Sequence, residues 1–168
     1  MRKLLCCLVL LAICFGCVRR NSEGQPVAAN SYLHKQPPKL EVEKWITPEP
    51  DTSGKWVLID FWATWCPPCR EAIPGLNDLA KKFSDKLVVI GLTDEEEADV
   101  RKMRTPKIDY YIASDTKGRT KNKVNVEMIP HVMLMDPQGF VRYEGYPEEK
   151  GYELTEEKVK GLMARYSR

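Results

Sequence analysis

The stretch Asp60-Phe61-Trp62-Ala63-Thr64-Trp65-Cys66-Pro67-Pro68-Cys69-Arg70 decides the fold. It begins inside a nearly continuous apolar run, Trp56 to Trp62, which suits a strand covered on both faces. It runs into an amphipathic segment, Arg70 to Phe83. Ile73, Leu76, Leu79, Ala80 and Phe83 share one side of that helix, with Lys81 and Lys82 on the other. Pro74 lies inside it and predicts a kink. Two thiols two residues apart, at a strand-to-helix junction, can close into a disulfide and open again. The pattern reads as a redox switch rather than a staple.

Working outward, Leu87 to Leu92 predicts a second buried strand. Glu95 to Met103 reads as a helix, acidic at its start and basic at its end, as the helix dipole prefers. Short strands are expected at Ile108–Ala113 and Val132–Met135. The turn Asp136-Pro137-Gln138-Gly139 then leads into a hairpin strand, Phe140–Glu144. Thr155 can cap a last helix carrying Val159, Leu162, Met163 and Tyr166. Leu40–Ile46 suits an edge strand. Strands alternating with helices, followed by a hairpin and a final helix, define an α/β fold with a mixed central sheet flanked by helices.

The chain has 168 residues, 43% of them hydrophobic. Met1-Arg2-Lys3 is a positive start, Leu4 to Phe15 an apolar core too short for a comfortable membrane span, and Gly16-Cys17 precedes a polar stretch. We read residues 1–17 as a signal peptide of lipoprotein type, with Cys17 the lipidated residue. Conventional cleavage nearby and an uncleaved anchor are the alternatives. Residues 18–39, with three prolines and little apolar periodicity, read as a tether, and 40–168 as one domain. The net charge is +2, from 26 Lys and Arg against 24 Asp and Glu; without Arg2 and Lys3 the balance is zero. Nothing in it argues for nucleic acid as a partner. The basic run Lys117 to Lys123 reads as a solvated loop or short helix face.

Six cysteines occur, but Cys6, Cys7, Cys14 and Cys17 lie in the export segment. Cys66 and Cys69 alone remain, which is one pair and not a disulfide framework. A thiolate, not a thiol, attacks a disulfide. Cys66 stands just before the first helical turn, where free N–H groups favour negative charge, so it is the expected nucleophile. Cys69, one turn in and more buried, is the expected resolving thiol. Pro67 and Pro68 preorganise the turn, but each removes an N–H that could have stabilised the thiolate, so a reducing couple is expected. Half of a zinc site has the same spacing, yet a second Cys pair is missing and the histidines are His34 and His131. Copper held by Cys66, Cys69 and His131 is the other metal reading. No metal is expected at this site.

The segment Asp60 to Arg70 closely resembles the active-site segment of thioredoxin-like proteins, above all the exported TlpA/ResA-type branch. Val126-Glu127-Met128-Ile129-Pro130-His131, the strand after it and the Asp136–Gly139 turn resemble that family's second active-site loop. The resemblance covers residues 40 to 168 and implies a thioredoxin fold. It also implies a cis Pro130 packed against the Cys pair, and an Ile129 backbone that docks substrate peptide in strand fashion. Three departures stand out. Ala72 occupies a position where the branch often has Glu. Asp60 matches the buried acid of ordinary thioredoxins, yet Leu87 to Thr93 holds no Lys to accompany it. His131 replaces the usual Thr.

Asp60 is accordingly the candidate general base for Cys69, since a buried carboxylate titrates near neutrality. Trp65, Pro67, Ile129, Pro130 and His131 are candidate substrate-binding residues, His131 either tuning the thiolate or touching the partner. Trp62 shields the disulfide or serves as core. The expected activity is extracytoplasmic thiol–disulfide exchange in the reducing direction, with no cofactor beyond the redox-active disulfide. Expected partners are client proteins bearing disulfides, such as an apocytochrome in cytochrome c maturation, a membrane electron donor, and the membrane itself through a lipid or N-terminal anchor. The rival readings are an oxidase or isomerase on the same scaffold and a non-catalytic module holding copper or a partner. A peroxidatic Thr-x-x-Cys pattern is absent, because Thr64 is only two residues before Cys66.

Overall fold

The computed structural model describes residues 19–166, so the expected signal peptide lies outside the described residues. Six strands form one mixed sheet: β1 (Lys44–Trp45), β2 (Trp56–Phe61), β3 (Leu87–Thr93), β4 (Tyr111–Ser114), β5 (His131–Met135) and β6 (Val141–Gly145). Their spatial order is β1-β4-β3-β2-β5-β6. β2, β3 and β4 run parallel, and β1, β5 and β6 join antiparallel at the two sides. β2 and β3 are central, which is why both read as apolar runs: β3 is buried at every position. Four helices accompany the sheet: α1 (Pro67–Lys82), α2 (Glu97–Val100), α3 (Arg119–Val124) and α4 (Glu156–Tyr166). Among the described residues no helix is long and apolar enough to cross a membrane.

The sheet separates two apolar layers. On one face Leu58, Val89, Val132 and Leu134 meet Cys69, Ile73, Leu76 and Leu79 of α1 and Val159 and Met163 of α4. On the other, Ile59, Phe61, Ile90, Leu92 and Met133 meet Val124 at the end of α3, Val126 and Ala29. Thr155 Oγ accepts from the Lys158 N–H, capping α4 as its sequence predicts. The Asp136 carboxylate accepts the N–H groups of Gln138 and Phe140, and Gly139 adopts a positive φ of 82°, completing the hairpin turn.

α1 begins at Pro67 with Cys66 as its N-cap, as the reading of Cys66 just before the first helical turn predicts; its first two positions need no N–H and accept proline. Other expectations change. α2 is one turn, not the predicted Glu95–Met103 helix, because Glu95 is held in the preceding loop, its carbonyl accepting from Ser114 Oγ. Residues 19–39, expected as a tether, lie packed along the second face: Ala29 and Leu33 are buried, the Asn30 N–H bonds to the Val124 carbonyl, and the His34 N–H to that of Val141.

Candidate active site

Cys66 is the N-cap of α1, with extended backbone geometry (φ −94°, ψ 102°). Pro67 and Pro68 fill the first two helical positions, so Cys69 carries the first N–H of the helix. That N–H points at Cys66 Sγ from 3.2 Å. The two sulfurs are joined in a disulfide. Cys66 is 3% exposed and Cys69 1%, so the expected contrast in burial is slight. The cap position, not exposure, distinguishes them: a negative Cys66 sulfur has an N–H donor and the positive end of a 16-residue helix.

The second loop arrives as its motif implies. The Ile129–Pro130 peptide bond is cis, Pro130 is buried, and the Ile129 carbonyl oxygen lies 3.7 Å from Cys66 Sγ. Beside it Val27, Ala28, Pro68, Met128, Ile129 and Tyr146 line a groove of about 270 Å³. Trp65 and Met128 are large hydrophobic side chains left exposed here, at 67% and 69%. Pro67 is also exposed. Trp62 is 1% exposed and belongs to the core around the disulfide.

Asp60 lies in β2 opposite Val132 of β5, and Val132 shares an apolar layer with Cys66 and Cys69. Its carboxylate therefore faces the dithiol side of the sheet. Burial pushes its pKa up to about 7, against the opposing pull of a hydrogen bond from Tyr110. Tyr110 Oη donates to Asp60 Oδ2 at 3.2 Å, and Oδ1 is buried with no hydrogen-bond partner among the described residues.

His131 does not join this site. It pairs with Phe61 across the β2–β5 ladder, their rings 6.1 Å apart, and Phe61 belongs to the opposite layer. Its ring is 1% exposed, and burial pushes its pKa down to about 4. The copper triad of Cys66, Cys69 and His131 is thus not assembled. Among the described residues no group of three His, Cys, Asp or Glu is placed to hold a metal.

Two contributors were not foreseen in the sequence. The Glu95 carboxylate accepts both the Thr64 N–H and the Thr64 hydroxyl, each at 2.6 Å, and so anchors the loop that delivers Cys66. Gly91 is the register partner of Asp60 in the parallel β2–β3 pair. A glycine within a buried strand signals close approach of a neighbour, a cue present in the sequence.

A mixed sheet in this order, an N-cap cysteine paired one helical turn away and a cis-proline loop facing it define a thioredoxin-like protein. A family model for the AhpC/TSA family matches residues 38–144, and the chain belongs to that family. The thiol-disulfide oxidoreductase ResA of Bacillus thuringiensis is 32% identical over 63% of this chain. The thiol:disulfide interchange protein DsbE of Escherichia coli is 30% identical over 89% of this chain and 84% of its own length. The chain spans 63% of the length of that ResA relative. Among solved structures, a putative DsbE from Chlorobium tepidum superposes with a TM-score of 0.60 at 26% identity, covering 67% of this chain and 82% of that one.

Proposed function

We propose that this protein is an extracytoplasmic thiol–disulfide oxidoreductase that reduces disulfides of client proteins. The observation that carries the reading is the Cys66–Cys69 pair at the N-terminus of α1, with Cys66 Sγ against the cis-proline loop. In the reduced chain, the Cys66 thiolate attacks one sulfur of a client disulfide. A mixed disulfide forms and one client thiolate leaves. Cys69 then gives its proton to Asp60 and attacks Cys66 Sγ, closing the Cys66–Cys69 bond and releasing the second client thiolate. The chain is oxidised by two electrons and the client reduced by two. A membrane dithiol donor regenerates the pair, and no further cofactor enters.

Docking follows from the site's shape. An extended client segment lies along the Ile129 backbone, with Trp65 and Pro67 flanking its cysteine and an apolar side chain in the groove by Met128 and Tyr146. His131 drops out as a contact, since its ring is buried on the other face. The reading of residues 1–17 as an export and lipid-anchor segment places this chemistry in the cell envelope, where disulfides persist. Similarity to the thiol-disulfide oxidoreductase ResA and the thiol:disulfide interchange protein DsbE supports exchange chemistry. The peroxidatic alternative is disfavoured because the residue three before Cys66 is Ala63, which has no hydroxyl to offer a peroxide.

The test is the reduction potential of the Cys66–Cys69 couple, with client trapping by Cys69→Ser. A value near about −270 mV supports a reductase and one near about −120 mV an oxidase. Failure to form any mixed disulfide would reject exchange altogether.

A further inference from the structure

We infer that Tyr110 is the positioning residue that orients the Asp60 carboxylate and sets its readiness to take the Cys69 proton, in the place that Gly91 denies to a charged side chain. The inference rests on the exchange reaction proposed above.

Three observations meet at this point. Gly91 is directly paired with Asp60 in the parallel ladder, so its side-chain position faces the same layer. A Cβ there would lie 2.8 Å from Trp62 Nε1 and 3.1 Å from Tyr110 Cε2. Any side chain at 91 would displace one ring or the other. The glycine therefore clears the space that the Tyr110 ring and the Trp62 indole occupy. From that space the Tyr110 hydroxyl, on a side chain 5% exposed, reaches Asp60 Oδ2.

The consequence is directional. Burial, reinforced by the Asp60 charge, pushes the Tyr110 hydroxyl well above its ordinary pKa, so it keeps its proton and acts as a donor. A fixed donor on Oδ2 stabilises the carboxylate and leaves Oδ1, which has no partner among the described residues, as the oxygen that takes a proton. Around Asp60 stand Gly91 of β3, Val132 of β5, Tyr110 ahead of β4, and the cysteines that α1 brings to the same layer. Of these, Tyr110 and the two cysteines titrate. Tyr110 thus supplies by a neutral hydrogen bond what a cation would supply by charge. It does so without placing an ammonium in an apolar layer, where desolvation is costly.

The proton count is simple. The Cys69 proton passes to Asp60 Oδ1, the Cys69 thiolate attacks Cys66 Sγ, and Tyr110 ends with the proton it began with.

The experiment uses the full chain and Tyr110→Phe, which keeps the ring and its packing. First, the Asp60 carboxyl carbon is titrated by NMR in the oxidised protein. The variant should titrate about one pH unit higher than wild type, because a donor to the charged form is gone. Second, reduced protein is mixed with an aromatic disulfide in single-turnover stopped flow, and the two thiolates are followed as they leave in succession. The first release should be unchanged. The second should slow about fivefold at pH 7 and recover by pH 9, since a base titrating near 7 would now titrate near 8. A merely structural defect would not recover with pH. An Asp60 titration that does not move, or a second release that slows equally at every pH, overturns the inference and leaves the exchange reaction standing. Absence of exchange in the wild-type chain would instead overturn the reading beneath it.

Discussion

The Cys69 N–H is aimed at Cys66 Sγ from 3.2 Å, and it is the first N–H the helix possesses. Thiolate stabilisation at a helix start ordinarily draws on several free amides. Here Pro67 and Pro68 remove two of them, so Cys66 has one backbone donor and the helix dipole. Its thiol should therefore have a higher pKa than the thiols of strongly oxidising exchangers. Thiolate absorbance of the reduced protein against pH checks this. Replacing Pro67 with Ser restores an amide and should lower the thiol pKa, and an unchanged value in the variant would contradict the argument.

Asp60 and His131 tilt stability with pH in opposite senses. The Asp60 pKa is raised from 3.8 to about 7 by burial, so the folded chain holds a proton that the unfolded chain has lost. Its contribution is fully present below pH 4 and is lost as pH rises through 7, by up to about 4 kcal/mol. The His131 pKa is lowered from 6.5 to about 4 by burial, so the unfolded chain takes the proton first. Stability is therefore lost as pH falls from 6.5 through 4, by up to about 3 kcal/mol. Between pH 4 and 6.5 the two slopes offset each other. Urea unfolding of oxidised Asp60→Asn should show stability rising with pH across that window, and His131→Leu should show it falling. Parallel profiles for the two variants would refute the pairing of opposite slopes.

The Cys pair, the cis-proline loop and the central strands are legible because each is local: a spacing, a short motif, a run of apolar residues. What is not legible depends on register or on distant contact. Tyr110 reads as part of a short strand, and only the alignment of β2 with β3, setting Gly91 beside Asp60, gives its hydroxyl a partner fifty residues away. His131 follows the proline in sequence, yet its register with Phe61 turns it to the far face. Residues 18–39 read as a tether because an extended segment can bury isolated side chains such as Ala29 and Leu33 without any periodic pattern. Glu95 reads as the first residue of a helix because an acidic run before a helix is common, whereas its carboxylate is taken by Thr64.

That carboxylate gives a third prediction. Glu95→Gln keeps one acceptor oxygen and loses the charge, while Glu95→Ala leaves the Thr64 N–H and hydroxyl without either. Because Glu95 is half-buried, water recovers part of the loss, and Glu95→Ala should cost about 1–2 kcal/mol in urea unfolding. The loop from Trp62 to Cys66 should loosen, seen as faster amide exchange at Thr64. Glu95→Gln should fall between the two. An Ala variant with unchanged Thr64 exchange would show that the clamp does not hold the loop.

The packed N-terminal segment makes the last case. Glu144 of β6 is fully buried, and it is held there by the Ser31 hydroxyl and the Tyr32 N–H, the latter at 2.8 Å. Removing the carboxylate leaves two donors facing a site that is closed to solvent, so Glu144→Ala should lose about 2–4 kcal/mol. The effect should also reach the active site by a specific route. The same segment supplies Val27 and Ala28 to the groove beside Pro68 and Ile129, while contributing nothing to the Cys66 cap itself. If the strap frays, a peptide disulfide that fills the groove should show a raised KM with kcat little changed. A small disulfide that touches only Cys66 should react at the wild-type rate. Equal slowing of both substrates would mean that the strap supports the whole domain rather than the wall of the groove.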